Sequence, residues 1–134
     1  MVPSGVETAQ FVMSVNVDRV GTPGHTTVKA LSEQCKKNED GDVLGNFMQL
    51  VNFEQQEVQI KANKAFVYEF DYSAPSSQYL EGAMCWVRSG FIPESGKKYH
   101  AHFTFRKNSC QTTLSEVTAS GSKISVKTFK PECR

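Results

Sequence analysis

His100 and His102 flank a single alanine, in a segment whose alternate positions are Tyr99, Ala101, Phe103 and Phe105. In an extended chain every second side chain shares a face, so both imidazoles project together. That spacing could bring them to one metal ion, with His25 or a carboxylate as a third ligand, and it is also the spacing of an enzymatic site. The simpler reading is that they occupy the polar side of a half-buried strand, and on it neither metal nor any other cofactor is expected. Glu69 and Asp71 also lie two apart and could pair for acid/base chemistry, although spacing alone supplies no partner geometry. The run Asn38-Glu39-Asp40-Gly41-Asp42 offers oxygen ligands without the order of a calcium-binding loop, and reads as a solvated turn. There is no Gly-x-Ser-x-Gly elbow, glycine-rich phosphate loop or His-Glu-x-x-His, so no catalytic residue is assigned and an enzyme is not expected.

The cysteines bound the problem more tightly. Cys35, Cys85, Cys110 and Cys133 form no Cys-x-x-Cys and no cysteine/histidine cluster, which argues against zinc-finger and thioredoxin-type chemistry. Two structural disulfides and an oxidising compartment are expected. Four cysteines allow three pairings. Cys85 with Cys110 is favoured because their segments read as neighbours around one loop, which leaves Cys35 to meet Cys133 and pin the C-terminal tail.

These side chains must be positioned by extended segments. Phe11, Met13, Val15 and Val17 alternate with Val12, Ser14, Asn16 and Asp18; Val58, Ile60 and Ala62 alternate with polar residues; Phe66, Tyr68, Phe70 and Tyr72 take every second position. Ala83 to Arg88, Tyr99 to Phe105, Cys110 to Val117 and Lys123 to Phe129 continue the pattern, and the last two are joined by a glycine-containing hairpin turn. Between Thr26 and Lys37, Val28, Leu31 and Cys35 fit one helical face, so a short helix is expected there. Seven or eight strands imply an all-β fold, an antiparallel β-sandwich, immunoglobulin-like or related, with an up-and-down barrel as the alternative.

The 134 residues are expected to form one domain, 1–134, with residues 1–10 as a flexible N-terminal tether. Lysine plus arginine number 15 against 14 acids, a net charge of +1 that disfavours nucleic acid. No apolar run approaches the roughly 18 residues of a transmembrane helix. No leader is visible, so the disulfide reading treats the chain as a mature form whose signal has been removed. The aromatic stripe from Phe66 to Tyr72 could form a stacking platform for carbohydrate, but core packing accounts for it better. If Cys85 points inward, Trp86 points outward as a contact surface. Lys97, Lys98, Arg106 and Lys107, with Lys123, Lys127 and Lys130, could form a basic edge, or simply guard strand edges against aggregation.

The stretch from Cys85 to Tyr99, with its Phe91-Ile92-Pro93-Glu94-Ser95-Gly96-Lys97-Lys98-Tyr99 run and closing Cys110, resembles small bacterial lipoproteins of poorly characterised function. The resemblance covers about a quarter of the chain and extends loosely over Val58 to Lys64. It implies a periplasmic or cell-surface location, a disulfide, and a lipid anchor in the precursor; no lipobox is present. The expectation is therefore an exported envelope protein with a binding or structural accessory role and an envelope or surface component as partner. The alternatives are a metal-binding or enzymatic domain using His100 and His102, and a ligand-binding module using exposed aromatics.

Overall fold

In the computed structural model, residues 7–17, 24–32, 43–48, 54–76, 81–106 and 109–131 are described, and they contain nine strands and no helix. The strands are β1 (Thr8–Val17), β2 (His25–Leu31), β3 (Val43–Met48), β4 (Gln55–Lys61), β5 (Phe66–Ala74), β6 (Ala83–Phe91), β7 (Lys98–Arg106), β8 (Ser109–Val117) and β9 (Lys123–Ser125). They form a five-stranded sheet in the order β4-β1-β7-β8-β9 and a four-stranded sheet in the order β3-β2-β5-β6.

Period-two alternation sets which side of each sheet is dry. From β1, Phe11, Met13, Val15 and Val17 turn inward; β5 contributes Tyr68, Phe70 and Tyr72, and β7 contributes Tyr99, Ala101, Phe103 and Phe105, all in one core. The aromatic rings interdigitate between the layers. Phe70 stacks on Phe103 with centroids 5.3 Å apart, Tyr72 meets Phe105 at 4.7 Å, Phe11 meets Tyr68 at 5.1 Å, and Phe91 meets Tyr99 edge-on at 4.8 Å. Offset and edge-to-face pairs of this kind are the favourable arrangements for the ring quadrupole. The stripe from Tyr68 to Tyr72 is thus core and carries no exposed stacking platform.

Two links close the side of the molecule where β6 and β8 lie. The inward-facing Cys85 of β6 is bonded to Cys110 of β8, joining the two sheets directly. At the other end of β6, Gly90 and Phe129 exchange both backbone hydrogen bonds, at 3.1 and 2.8 Å, so the segment after β9 crosses from one sheet to the other. A Cβ on Gly90 would come within 2.5 Å of the Phe129 ring, so any larger residue there would have to displace that ring.

Several expectations are corrected. The helix expected from Thr26 is strand β2 through Leu31: Thr26, Val28 and Ala30 point to the core, and β2 is hydrogen-bonded on both sides, by β3 and β5. Tertiary pairing overrides a local pattern that fits either state. Residues 33–37 lie outside the described residues. The tether expected over 1–10 does not hold for Thr8, Ala9 and Gln10, which pair with Lys61, Ile60 and Gln59, and residues 1–6 lie outside the described residues. Nine strands replace seven or eight, and the five-stranded sheet is mixed, because β1 runs parallel to β7. Alternation reports which face is dry and says nothing of a neighbour's direction. The strand expected from Lys123 to Phe129 is only Lys123–Ser125, followed by the isolated bridge at Phe129. Cys35, Cys133 and the turn at 38–42 lie outside the described residues.

Replacing Cys85 and Cys110 together by serine should lower unfolding stability by about 2–4 kcal/mol, measured by chemical denaturation, since the unfolded chain regains the conformational entropy that the closed loop between them removes. The Tyr68 hydroxyl is buried without a well-aligned hydrogen bond, and desolvation pushes its phenol up to about 12, with Ser89 and Thr112 offsetting the burial only in part. Tyr68→Phe should therefore be neutral or stabilising, by up to about 1 kcal/mol, in the same assay.

Candidate functional site

On the outer face of the five-stranded sheet, the registers align polar side chains in rows. Ser14 of β1 lies opposite Gln55 of β4 on one side and His102 of β7 on the other, and His102 lies opposite Thr113 of β8. The next row places His100 opposite Ser115, and Ser115 opposite Ser125 of β9. Lys123 enters from the edge: Gly121, at φ 87°, turns the chain after β8, and the Thr118–Ser122 hydrogen bonds close the hairpin. Ser14, Gln55, His100, His102, Thr113, Ser115 and Lys123 together line an open depression of about 390 Å³.

At its centre is a connected hydrogen-bond network. Ser14 Oγ is 2.6 Å from His100 Nε2 and 2.6 Å from His102 Nδ1, and Lys123 Nζ is 2.8 Å from His100 Nδ1. Proton counting gives it a direction. The Lys123 ammonium can only donate, so His100 Nδ1 accepts and its ring proton sits on Nε2. That Nε2–H donates to Ser14 Oγ, whose own proton goes to His102 Nδ1, leaving the His102 proton on Nε2. Serine has one proton to give, so only this orientation satisfies all three contacts while both rings are neutral.

The electrostatics keep the rings neutral. Burial is the main cause that lowers His100 to about 4, with the charges of Lys123, His102 and Lys98 adding to it. His102 is also lowered, first by burial and then by Lys123. The three histidines do not converge. His25 stands on β2, in the other sheet, and no group of three histidine, cysteine, aspartate or glutamate side chains suited to a metal ion occurs among the described residues. His100 Nε2 and His102 Nδ1 are engaged by Ser14, and His100 Nδ1 by Lys123, so no metal centre is preformed among the described residues.

The other sequence candidates are dispersed over the opposite face. Glu69 and Asp71 are each matched by a cation, with Arg88 Nε 2.8 Å from Glu69 and Lys29 Nζ 3.6 Å from Asp71. Trp86 is 55% exposed on the outer face of β6, with the Arg88 guanidinium 4.3 Å above its ring. Three of the basic residues are engaged by partners of their own: Lys97 contacts Glu94 and Glu116, Lys98 contacts Glu57, and Lys123 serves the histidines. Lys107 lies outside the described residues. Sequence reasoning placed His100 and His102 on one face but missed Ser14 and Lys123 as their partners. The signal that could have found Ser14 is a lone small hydroxyl on the polar side of β1, between Val12 and Asn16; pairing of β1 with β7 had no counterpart in the sequence.

No family model, no curated protein and no solved structure matches this chain. Among the described residues no helix is long and apolar enough to cross a membrane.

The lowered His100 has a sign that can be tested. At pH 7 both folded and unfolded rings are neutral; as pH falls below 6.5 the unfolded ring takes a proton that the folded ring resists until about 4. Stability contributed by the neutral ring is therefore present above pH 6.5 and lost progressively toward pH 4. His100→Gln should flatten this part of the stability profile in denaturant titrations at pH 7, 5.5 and 4.5. In the wild type, the His100 NMR titration midpoint should lie well below that of a free histidine, and Lys123→Gln should raise it.

Proposed function

We propose that this chain is an exported, non-catalytic binding domain or structural accessory of the bacterial envelope, built as a β-sandwich. The observation that carries the binding role is the depression around Ser14, whose described lining residues are hydrogen-bonding side chains without a carboxylate. Export is supported by the bond between Cys85 and Cys110, since disulfides persist in oxidising compartments. The same compartment favours a second bond, Cys35 to Cys133. A lipid anchor in the precursor and an envelope protein or surface component as partner follow from the same reading. The exposed Trp86, stiffened by Arg88, offers a contact surface on the opposite face.

Catalysis is the weaker reading, for a geometric reason. The contact between Ser14 Oγ and His102 Nδ1, 2.6 Å, is the contact an activated serine would need. Acyl transfer also needs donors aimed at a developing oxyanion. β1 is paired along its length with β4 on one side and β7 on the other, so its backbone N–H groups lie in the plane of the sheet and serve the ladders. Ser14 is 7% exposed, between two imidazoles, with little room for a substrate carbonyl.

Two measurements test the proposal together. Protein recovered from a bacterial envelope fraction should have an intact mass lower than its reduced form by about 2 Da per disulfide, with a Cys85–Cys110 crosslinked peptide. A fluorophosphonate probe should leave Ser14 unlabelled. Free thiols in that fraction would defeat export, and stoichiometric labelling of Ser14 would replace binding by hydrolysis.

A further inference from the structure

The depression on the five-stranded sheet is chemically one-sided. We propose that it is a binding site for an oxyanion, either a free small anion or the terminal carboxylate or phosphate of a larger molecule, held by Lys123, His102, Thr113, Ser115 and Gln55. This inference rests on the binding role proposed above and specifies what is bound.

The donor inventory supports it. Lys123 has three N–H groups and uses one on His100 Nδ1. The directed network leaves His102 Nε2 protonated, with its Nδ1 already accepting from Ser14. Thr113 and Ser115 add hydroxyls from β8, and Gln55 adds an amide from β4 on the far side of Ser14. Ammonium and imidazole donors bind oxyanions through short charge-assisted hydrogen bonds. A cation would face Lys123 with no carboxylate among the lining residues, and a metal held by both imidazoles would have to displace Ser14 or Lys123 from His100.

The surrounding charges reinforce this polarity. Facing the two rings are Lys98 from β7 and Lys123 from β9, whose positive charges add to the burial that holds His100 low. From β4 comes Glu57, whose carboxylate lies 3.7 Å from Lys98. β1 and β8 present the neutral Ser14, Thr113 and Ser115. The local balance is positive, and a bound anion would offset the repulsion that opposes imidazole protonation. Binding and protonation of His102 are therefore linked: the anion tightens as pH falls from 7 toward 5, and at fixed pH it raises the titration midpoint of the ring.

The fold also makes the site adjustable without unfolding. Lys123 stands on the three-residue edge strand β9, is exposed, and reaches the site across the hairpin, whereas Ser14, His100 and His102 stand on the two central strands. Removing Lys123 takes away a donor and leaves the core untouched.

The test is a titration of the histidine ring resonances by NMR with inorganic phosphate, sulfate and acetate, at pH 7 and 5.5, with sodium chloride at matched ionic strength as control. Saturable shifts of His100 and His102 with the oxyanions, tighter at pH 5.5 and about tenfold weaker in Lys123→Met, are the expected result. Thr113→Val should also weaken binding while the rest of the spectrum is unchanged, which separates ligand loss from misfolding. Preference for phosphate and sulfate over acetate would assign the site to phosphate-type groups; preference for acetate would assign it to carboxylates. Shifts reproduced by chloride alone, or affinity unchanged in Lys123→Met, would overturn the anion site while leaving a binding role through Trp86 intact. p-Nitrophenyl phosphate added to the same samples reads turnover: nitrophenol release lost in Ser14→Ala would instead overturn the non-catalytic reading, on which this site rests.

Discussion

Everything in this protein depends on the aromatic layer between the two sheets. Phe11, Phe70, Tyr72, Phe91, Phe103 and Phe105 are almost fully removed from water, and each large side chain contributes roughly 1.5–3 kcal/mol by its burial. Contacts within the four-stranded sheet, such as Tyr68 with Phe91, are joined by contacts between the sheets, such as Phe70 on Phe103 and Tyr72 on Phe105, so neither sheet can keep its inner face dry alone. Once those residues face inward, the pleat leaves no choice for the intervening ones. Ser14, His100 and His102 must then stand on the outside, because each is one residue away from a core side chain.

The outer face is itself unusually dry at its centre. Ser14 and His100 are 7% and 9% exposed although they point away from the core, because the central strands β1 and β7 crowd their side chains between β4 and β8. Buried polar atoms need partners, and here they find one another. The outcome is a chain of donors running from Lys123 through His100 and Ser14 to His102. Its direction follows from the single fact that an ammonium cannot accept. The low affinity of His100 for a proton has the same origin, since burial and three nearby cationic or titratable groups all disfavour a second charge.

The two links at β6 and β8 have a complementary role. Loose edges are a liability in a sheet protein, and β6 is an edge strand nine residues long that carries the exposed Met84 and Trp86. The Cys85–Cys110 bond holds one end of β6 to the other sheet, and the Gly90–Phe129 bridge holds the other end through the C-terminal segment. That segment begins at β9, so the hairpin that delivers Lys123 to the histidines is anchored at both ends, by β8 and by Gly90.

The alternation of Phe66, Tyr68, Phe70 and Tyr72, and that of Tyr99 to Phe105, by itself determined that this chain is built from strands with one dry face, and put His100 and His102 on the wet one. Local spacing suffices there because side-chain direction in a strand repeats every two residues. The sequence also favoured Cys85 with Cys110 among three pairings, from neighbouring segments around one loop. It misread Thr26 to Leu31, where Val28 and Leu31 fit a helix while Val28 and Ala30 fit a strand, and only hydrogen bonding to both β3 and β5 decides. The parallel pairing of β1 with β7 was equally hidden, since register between distant segments is fixed by the packing of all the inner faces at once. Ser14 and the histidines are 86 and 88 residues apart, and Lys123 is a further hairpin away. Their meeting, and with it the one-sided donor pocket, was decided by the tertiary structure alone, because contact across strands is a property of sheet order and not of any local run of residues.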